Sequence, residues 1–255
     1  LHIGQSIRNG VMAVLMAKRG FTANDGAFEH AQGFFEVFNG TNNYNVENIF
    51  SNWGTPWNVT EPGPSLKVYP CCGSTHGAIE CALALREKHS FDHFEIKLVQ
   101  VYTDPKRQPH TNNPDPNTDL AAKFSVQYVV ARALIDGVVK LDHFVDQAIQ
   151  EPVIRQLMTK VTVETHPDMK DPKTDTYAAE VRLIMNDGQS LIHTTDDVVL
   201  RGPQRPMNEG ELWAKFNDCA KRLLKPKSSQ YLFDILRDFE NLSVISTVTD
   251  ELISG

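Results

Sequence analysis

The sequence predicts a mixed fold in which helices come first, an α+β segment follows from about residue 66 to 200, and helices return. Three observations carry this. Apolar residues near the start recur at helical spacing, strand-like alternation and a hairpin signal are confined to the middle, and spacing turns helical again from Pro206. The expected organisation is a partial all-α helical domain built from residues 1–65 and 201–255, with an α+β domain at 66–200 inserted between them.

Each element has its own reason. Residues 6–19 place Ile7, Val11, Val14 and Leu15 on one helical stripe that stops at Gly20. Residues 27–38 repeat the pattern with Phe28, Ala31, Phe34, Phe35 and Phe38. Residues 39–65 are rich in Asn, Gly, Pro and Trp and read as a long irregular connection with one short helix. A helix over 74–88 follows Pro70, with Ser74 or Thr75 as its cap. Residues 94–102 alternate like a half-buried strand with Ile96, Leu98 and Val99 inward. Four prolines make 103–117 a loop, and a long apolar helix over 118–135 ends at Gly137. Residues 146–158 read as a helix broken at Pro152. Strands are expected at 159–164, 176–185 and 190–195, the last two joined by Asn186-Asp187-Gly188. Helices are then expected at 209–224 and 230–241, with a weak terminal one.

The bulk numbers restrict the function. The chain has 255 residues, 41% of them hydrophobic, and a net charge of −7. That balance argues against nucleic acid or an anionic membrane as partner, while leaving room for a local cationic cleft that takes a small anion. No apolar run approaches the roughly 18 residues of a membrane span. Cys71, Cys72, Cys81 and Cys219 are too few for a disulfide scaffold and suggest a reducing compartment, the cytoplasm or, in a eukaryote, the mitochondrial matrix. The start, Leu1-His-Ile-Gly-Gln-Ser-Ile-Arg, lies almost inside a helix and is expected to be part of a longer protein.

The chemistry concentrates in Lys67-Val-Tyr-Pro-Cys-Cys-Gly-Ser-Thr-His76. A zinc site is disfavoured, because adjacent cysteines point apart and no second Cys/His pair has suitable spacing. A redox pair is disfavoured too, since a vicinal ring is strained and the usual two-residue spacer is missing. Cys71 reads as a small packing residue. His76, in the first turn of a helix, is either a proton donor and acceptor beside an anion or a residue that helps cap the helix. Lys67 is either a point charge for a carboxylate or a solvated side chain.

The loop over 103–117 carries Lys106, Arg107 and His110, and is long enough to reach a neighbouring site or to remain solvated. His30, His89, His93, His143, His166 and His193 show no pairing pattern and read as surface or half-buried. No phosphate loop, dinucleotide fingerprint or Gly-x-Ser-x-Gly occurs.

The segment from Lys67 to His76, followed by Ala122-Lys-Phe-Ser-Val-Gln-Tyr128 and Ala133-Leu-Ile-Asp-Gly137, resembles the MmgE/PrpD family. That family includes 2-methylcitrate dehydratase, cis-aconitate decarboxylase and iminodisuccinate epimerase. Leu1-His-Ile-Gly4 resembles the end of the family's Lys-x-x-His-x-Gly motif, and Asn52-Trp-Gly-Thr-Pro-Trp57 falls in the right order. The resemblance covers essentially the whole chain, and implies that 66–200 is a lid on a helical domain made from both ends. It also implies that the first half of a family member, with further catalytic groups, precedes Leu1.

By the resemblance, Lys67 matches the lid lysine of the family's active site and His76 the histidine that ends the motif; both are the expected catalytic residues. Cys72 occupies a position where the decarboxylase branch has a histidine. His110 lies about where that branch has an active-site tyrosine. Cys72 and His110 are the expected substrate-binding residues. The implied function is a lyase that needs no metal or organic cofactor and acts on a small anionic citrate-like carboxylate, with 2-methylcitrate dehydration as the default and a homodimer as the assembly. Alternatives are an isomerase, epimerase or decarboxylase of the same family on a small dicarboxylate, or a non-catalytic fragment that binds carboxylates or a partner.

Overall fold

A computed structural model describes residues 1–169, 176–196 and 201–254. They divide into two units, Leu1–Glu61 and Pro62–Gly255. The first holds helices α1 (His2–Lys18), α2 (Phe34–Asn39) and α3 (Glu47–Phe50). None of the three buries a residue. Ile3, Ile7, Val11, Val14 and Leu15 of α1 are all exposed. Local order comes from aromatic contacts, with Phe28, Phe34 and Phe35 mutually packed at 5.8–5.9 Å between ring centroids.

The second unit contains, in order, α4 (His76–Lys88), β1 (Ile96–Thr103), α5 (Gln108–Thr111), α6 (Asp119–Lys123), α7 (Val126–Asp136), α8 (Asp146–Ile149) and α9 (Pro152–Met158). Next come β2 (Val161–Thr165), β3 (Ala179–Met185), β4 (Ser190–Thr194), α10 (Glu209–Ala220), α11 (Pro226–Arg237) and α12 (Ser246–Ser254). The described strands form one sheet in the order β2-β1-β3-β4. β1 and β2 run parallel, with Val99 opposite Val161, so the chain between them must cross over the sheet. It does so through α5 to α9. β3 pairs antiparallel with both β1 and β4.

Alternation puts Val99 and Val101 of β1, and Val181 and Leu183 of β3, in the buried core. α4 lies against β3 and β4, and α7 packs between α4 and α9. The core therefore sits between one sheet face and these helices. Ala78, Ile79, Ala82 and Leu85 come from α4, and Tyr128, Val129, Val130 and Leu134 from α7.

Several expectations need correction. A register shift between Ile96 and Leu98 leaves Leu98 only half-buried, so the inward set is Ile96, Val99 and Val101. The apolar run 118–135 is two helices. Thr118 caps α6 by accepting from the Ala121 N–H at 3.1 Å, and Ser125 restarts the chain as α7 by accepting from the Tyr128 N–H at 3.1 Å. Gly137, with φ +69°, ends α7 in the left-handed region as expected. The helix expected over 27–38 is confined to α2. Before α4 a 3-10 turn, Gly73–Thr75, intervenes, and the Thr75 hydroxyl donates to the Cys72 carbonyl at 2.8 Å instead of capping. His143 is buried, contrary to its reading as surface or half-buried. The hairpin at Asn186-Asp187-Gly188 is present, with φ +92° at Gly188. Residues 170–175 and 197–200 of the expected α+β segment lie outside the described residues.

Two polar features fix the core. Arg132, 2% exposed, donates from Nε to Tyr128 Oη at 3.0 Å and from Nη1 to Asp136 and Glu151, each at 3.0 Å. Its Nη2 reaches the Ala148 carbonyl at 2.6 Å, which joins α7 to α8 and the start of α9. Burial opposes the charge, but the hydrogen bonds to Glu151 and Tyr128 outweigh it and hold the pKa above the usual arginine value. His76 is the opposite case. It is 0% exposed, its ring stands edge-on to Tyr69 at 5.1 Å, and neither nitrogen has a well-formed hydrogen bond. Burial, joined by the Lys67 charge, pushes its pKa down to about 4 against a weak opposing pull from the Tyr69 and Cys71 backbone.

Two outcomes follow. A Cβ at Gly77 would lie 2.4 Å from the Tyr177 carbonyl oxygen and 3.1 Å from Ala179 Cβ. Gly77→Ala should therefore lower stability by ~3 kcal/mol in urea unfolding; a loss under about 0.5 kcal/mol would refute the close approach. For His76, the unfolded chain takes a proton near 6.5 and the folded one only near 4. Stability from this group is thus complete above 6.5 and falls as pH drops towards 4, by ~3 kcal/mol in all. An NMR titration should keep its imidazole neutral down to about 4, and a midpoint near 6.5 would contradict its burial.

Candidate active site

The Lys67–His76 segment is held at both ends. At its start, Leu66 and Arg201 form an antiparallel bridge, with Leu66 N–H to Arg201 O at 2.6 Å and Arg201 N–H to Leu66 O at 3.1 Å. At its end the chain enters α4, whose first turn is buried against β3 through Gly77. Between them, the Cys72 N–H donates to the Lys123 carbonyl at 2.9 Å, which ties the turn to the end of α6.

Lys67 is exposed and makes no hydrogen bond or ion pair with another described residue. Its charge still reaches inward, since it lowers the pKa of His76 and pulls on the Cys71 thiol. Lys215 of α10 acts on the same two groups. Cys71 is buried, its sulfur 3.4 Å from Thr75 Oγ1, and burial pushes its thiol up to about 12. It is a neutral packing group at physiological pH. Cys72 is half-buried and free.

The stretch 103–117, expected to be loop throughout, contains the end of β1 and the short helix α5, and His110 reaches this segment from α5. Its Nε2 lies 3.0 Å from Ser74 Oγ. The loop that delivers it is braced at several points. Asp104, fully buried, accepts from the Lys106 N–H at 2.8 Å and the Thr176 N–H at 3.0 Å. The Arg107 guanidinium stacks 4.1 Å from the Tyr177 ring centre. Thr111 donates to the Arg107 carbonyl at 2.7 Å, and Gln127 on α7 donates to Asn112 at 2.6 Å.

The four expected site residues therefore separate by exposure. Lys67 and His110 are exposed, Cys72 is half-buried between them in sequence, and His76 is sealed behind Tyr69. The sequence singled out Ser74 only as a cap, yet it is the contact that joins His110 to the segment. It also passed over Glu80, whose signal was its place four residues after His76 on one helix face. Glu80 is 3.2 Å from Arg201 Nη1 and 2.9 Å from Arg205 Nη1.

Behind the segment, a cavity of about 430 Å³ is lined by Val68, Tyr69, Lys140, Lys215 and Asp218, among others. Burial and the Glu80 charge raise the Tyr69 pKa, so its phenol stays protonated. Chemically, the arrangement offers an exposed ammonium for an anion and an exposed imidazole, paired with a hydroxyl, able to move a proton. Among the described residues no cluster of three His, Cys, Asp or Glu side chains could hold a metal ion, and no helix is long and apolar enough to cross a membrane.

Comparison with known proteins gives this arrangement a family. The chain is 27% identical to mouse cis-aconitate decarboxylase over 263 residues, 100% of this chain and 52% of the mouse protein. It is 25% identical to the human cis-aconitate decarboxylase, covering 98% of this chain and 51% of that one. Against the Aspergillus terreus cis-aconitate decarboxylase the identity is 24%, with 98% and 53% covered. The chain thus spans about half the length of the curated relatives it matches. Residues 69–240, most of the second unit and the Lys67–His76 segment from Tyr69 onward, match the MmgE/PrpD C-terminal domain, and the chain belongs to the MmgE/PrpD family.

Proposed function

We propose that this chain forms one wall of the active site of a lyase that acts on a small di- or tricarboxylate. The observation that carries the reading is the Lys67–His76 segment. It presents a lysine ammonium that pairs with no other described residue, and its Ser74 hydroxyl holds the exposed imidazole of His110 at 3.0 Å. In this reading residues 66–200 act as a lid over residues supplied by the helical parts of the protein, and the assembly is a homodimer.

The roles follow from charge and exposure. Lys67 binds a substrate carboxylate and offsets the negative charge that develops when a bond next to it breaks. His110 moves the proton, with the Ser74 hydroxyl orienting its ring. His76, neutral and sealed, supports Tyr69 and the turn and does not itself reach substrate in this conformation. Cys72 lines the surface between them. Proton transfer and charge stabilisation suffice for these steps, and no resident cofactor is invoked.

Two reactions use these groups. The names of the relatives favour cis-aconitate: the carbon–carbon bond to one carboxylate breaks, carbon dioxide leaves, and the electron pair on carbon takes a proton. The second reading is favoured by Cys72, which stands where the decarboxylase branch has a histidine. It is dehydration of 2-methylcitrate, in which a base removes a proton from carbon next to a carboxylate and hydroxide leaves with a proton from an acid.

The two are separated by assaying the full-length protein with both acids, reading carbon dioxide release in one case and loss of water in the other. Turnover of neither, with tight binding of both, would replace catalysis by carboxylate binding alone. Lys67→Ala should reduce turnover by at least about a hundredfold, and near-normal activity would remove Lys67 from the site. His110→Ala should cost about a hundred- to ten-thousandfold in kcat, the usual worth of a positioned proton-transfer group, and Ser74→Ala a smaller part of that. An unchanged kcat in His110→Ala would leave proton transfer to another residue.

A further inference from the structure

Glu80 makes no hydrogen bond or ion pair with Lys67, Ser74 or His110, all described residues, yet the structure connects it to Lys67 in three steps. The carboxylate sits on α4 and is only 12% exposed, and the Arg201 side chain it faces is 10% exposed. Its two oxygens are divided between two arginines, Oε1 at 3.2 Å from Arg201 Nη1 and Oε2 at 2.9 Å from Arg205 Nη1. The 3.2 Å pair is electrostatic, since it lacks good hydrogen-bond geometry, whereas the Arg205 contact is a well-formed hydrogen bond. Arg201 is steadied on its other side by Glu211 at 3.4 Å. Its backbone then makes both hydrogen bonds of the bridge to Leu66, the residue immediately before Lys67.

We propose that Glu80 is a positioning residue, which sets the place of the Lys67 ammonium through Arg201 and the Leu66–Arg201 bridge. The second arginine strengthens the assignment, because one carboxylate clamps the 201–205 segment at two points four residues apart, so that segment can neither slide nor rotate about a single contact. A half-buried carboxylate with two arginines is also hard to lose, since removing either partner leaves a charge poorly solvated. This inference rests on the reading of Lys67 as the carboxylate-binding cation, and its test separates the two.

The test uses Glu80→Gln in the full-length protein and amide hydrogen exchange at Leu66 and Arg201. Loss of the carboxylate charge should speed exchange at both by about tenfold or more, while the Val99 and Val181 amides of the sheet keep their protection. KM for the carboxylate substrate should rise by about tenfold with a smaller change in kcat, as expected when a binding cation is displaced. Adding Arg201→Gln to Glu80→Gln should cost less than Arg201→Gln does alone, because the Glu80–Arg201 contact is already gone and only the one to Glu211 is left to lose. Unchanged exchange at Leu66 overturns the proposal. Should Glu80→Gln fail to fold, Glu80→Asp keeps the charge but draws it back by one methylene. A faster Leu66 amide there supports the clamp, and an unchanged one overturns it. If Leu66 exchange rises but no carboxylate is bound even by the unaltered protein, Glu80 keeps its role in placing Lys67 and the functional reading of Lys67 fails.

Discussion

The close approach of α4 to β3 at Gly77 is the constraint on which the site depends. With no Cβ there, the Tyr177 carbonyl and the Ala179 side chain come against the first turn of the helix. His76, the residue before Gly77, is fully buried with its ring against Tyr69, and this packed first turn follows directly on the 3-10 turn Gly73–Thr75. Ser74, in that turn, is then where the loop after β1 can reach it. The Arg107–Tyr177 stack belongs to the same region, so the loop that carries His110 and the strand that packs on Gly77 are braced together. Close packing of this kind leaves little room for a shift at Gly77 that does not also move the turn before it.

Electrostatics sorts the groups that can react from those that cannot. The chain carries a net charge of −7, yet the side chains that act on the Cys71–His76 stretch from nearby are lysines, Lys67 and Lys215. Burial, with the field of Lys67 and a smaller one from Lys215 added, keeps His76 neutral. Burial keeps Cys71 a thiol. The vicinal cysteines are accordingly poor nucleophiles in one case and merely half-buried in the other. In the function proposed above, proton traffic falls to the exposed imidazole of His110. Two acidic residues of this region are already engaged, Glu80 with two arginines and Asp218 with Lys221 at 2.8 Å and the Leu141 N–H at 3.0 Å.

What the sequence disclosed was local. Period-two alternation located β1, and Asn186-Asp187-Gly188 located the hairpin, because each is written in neighbouring residues. The break between α6 and α7 was hidden by an apolar run that continues through Phe124, and only Ser125, a single capping residue, marks it. At the site, Lys67, Cys72, His76 and His110 could be named, but not sorted into exposed and sealed. Burial of His76 depends on Tyr69 and on strands a hundred residues away. The Ser74–His110 contact joins residues 36 apart, and the Glu80–Arg205 pair joins residues 125 apart. Such pairings leave no periodic trace, so no spacing rule could have found them.

The bridge between Leu66 and Arg201 has a consequence for biosynthesis. During translation Lys67 is made long before the strand partner that fixes its neighbour. At about 5–20 residues per second, the interval before Arg201 appears is on the order of ten seconds. Throughout it the Lys67–His76 segment has no partner at its leading edge. The leading edge of this segment is thus fixed only when the chain closes a long loop upon itself, a slow kind of contact to form. A ribosome pause or a truncation ahead of Arg201 would leave the sheet strands made but Lys67 unplaced.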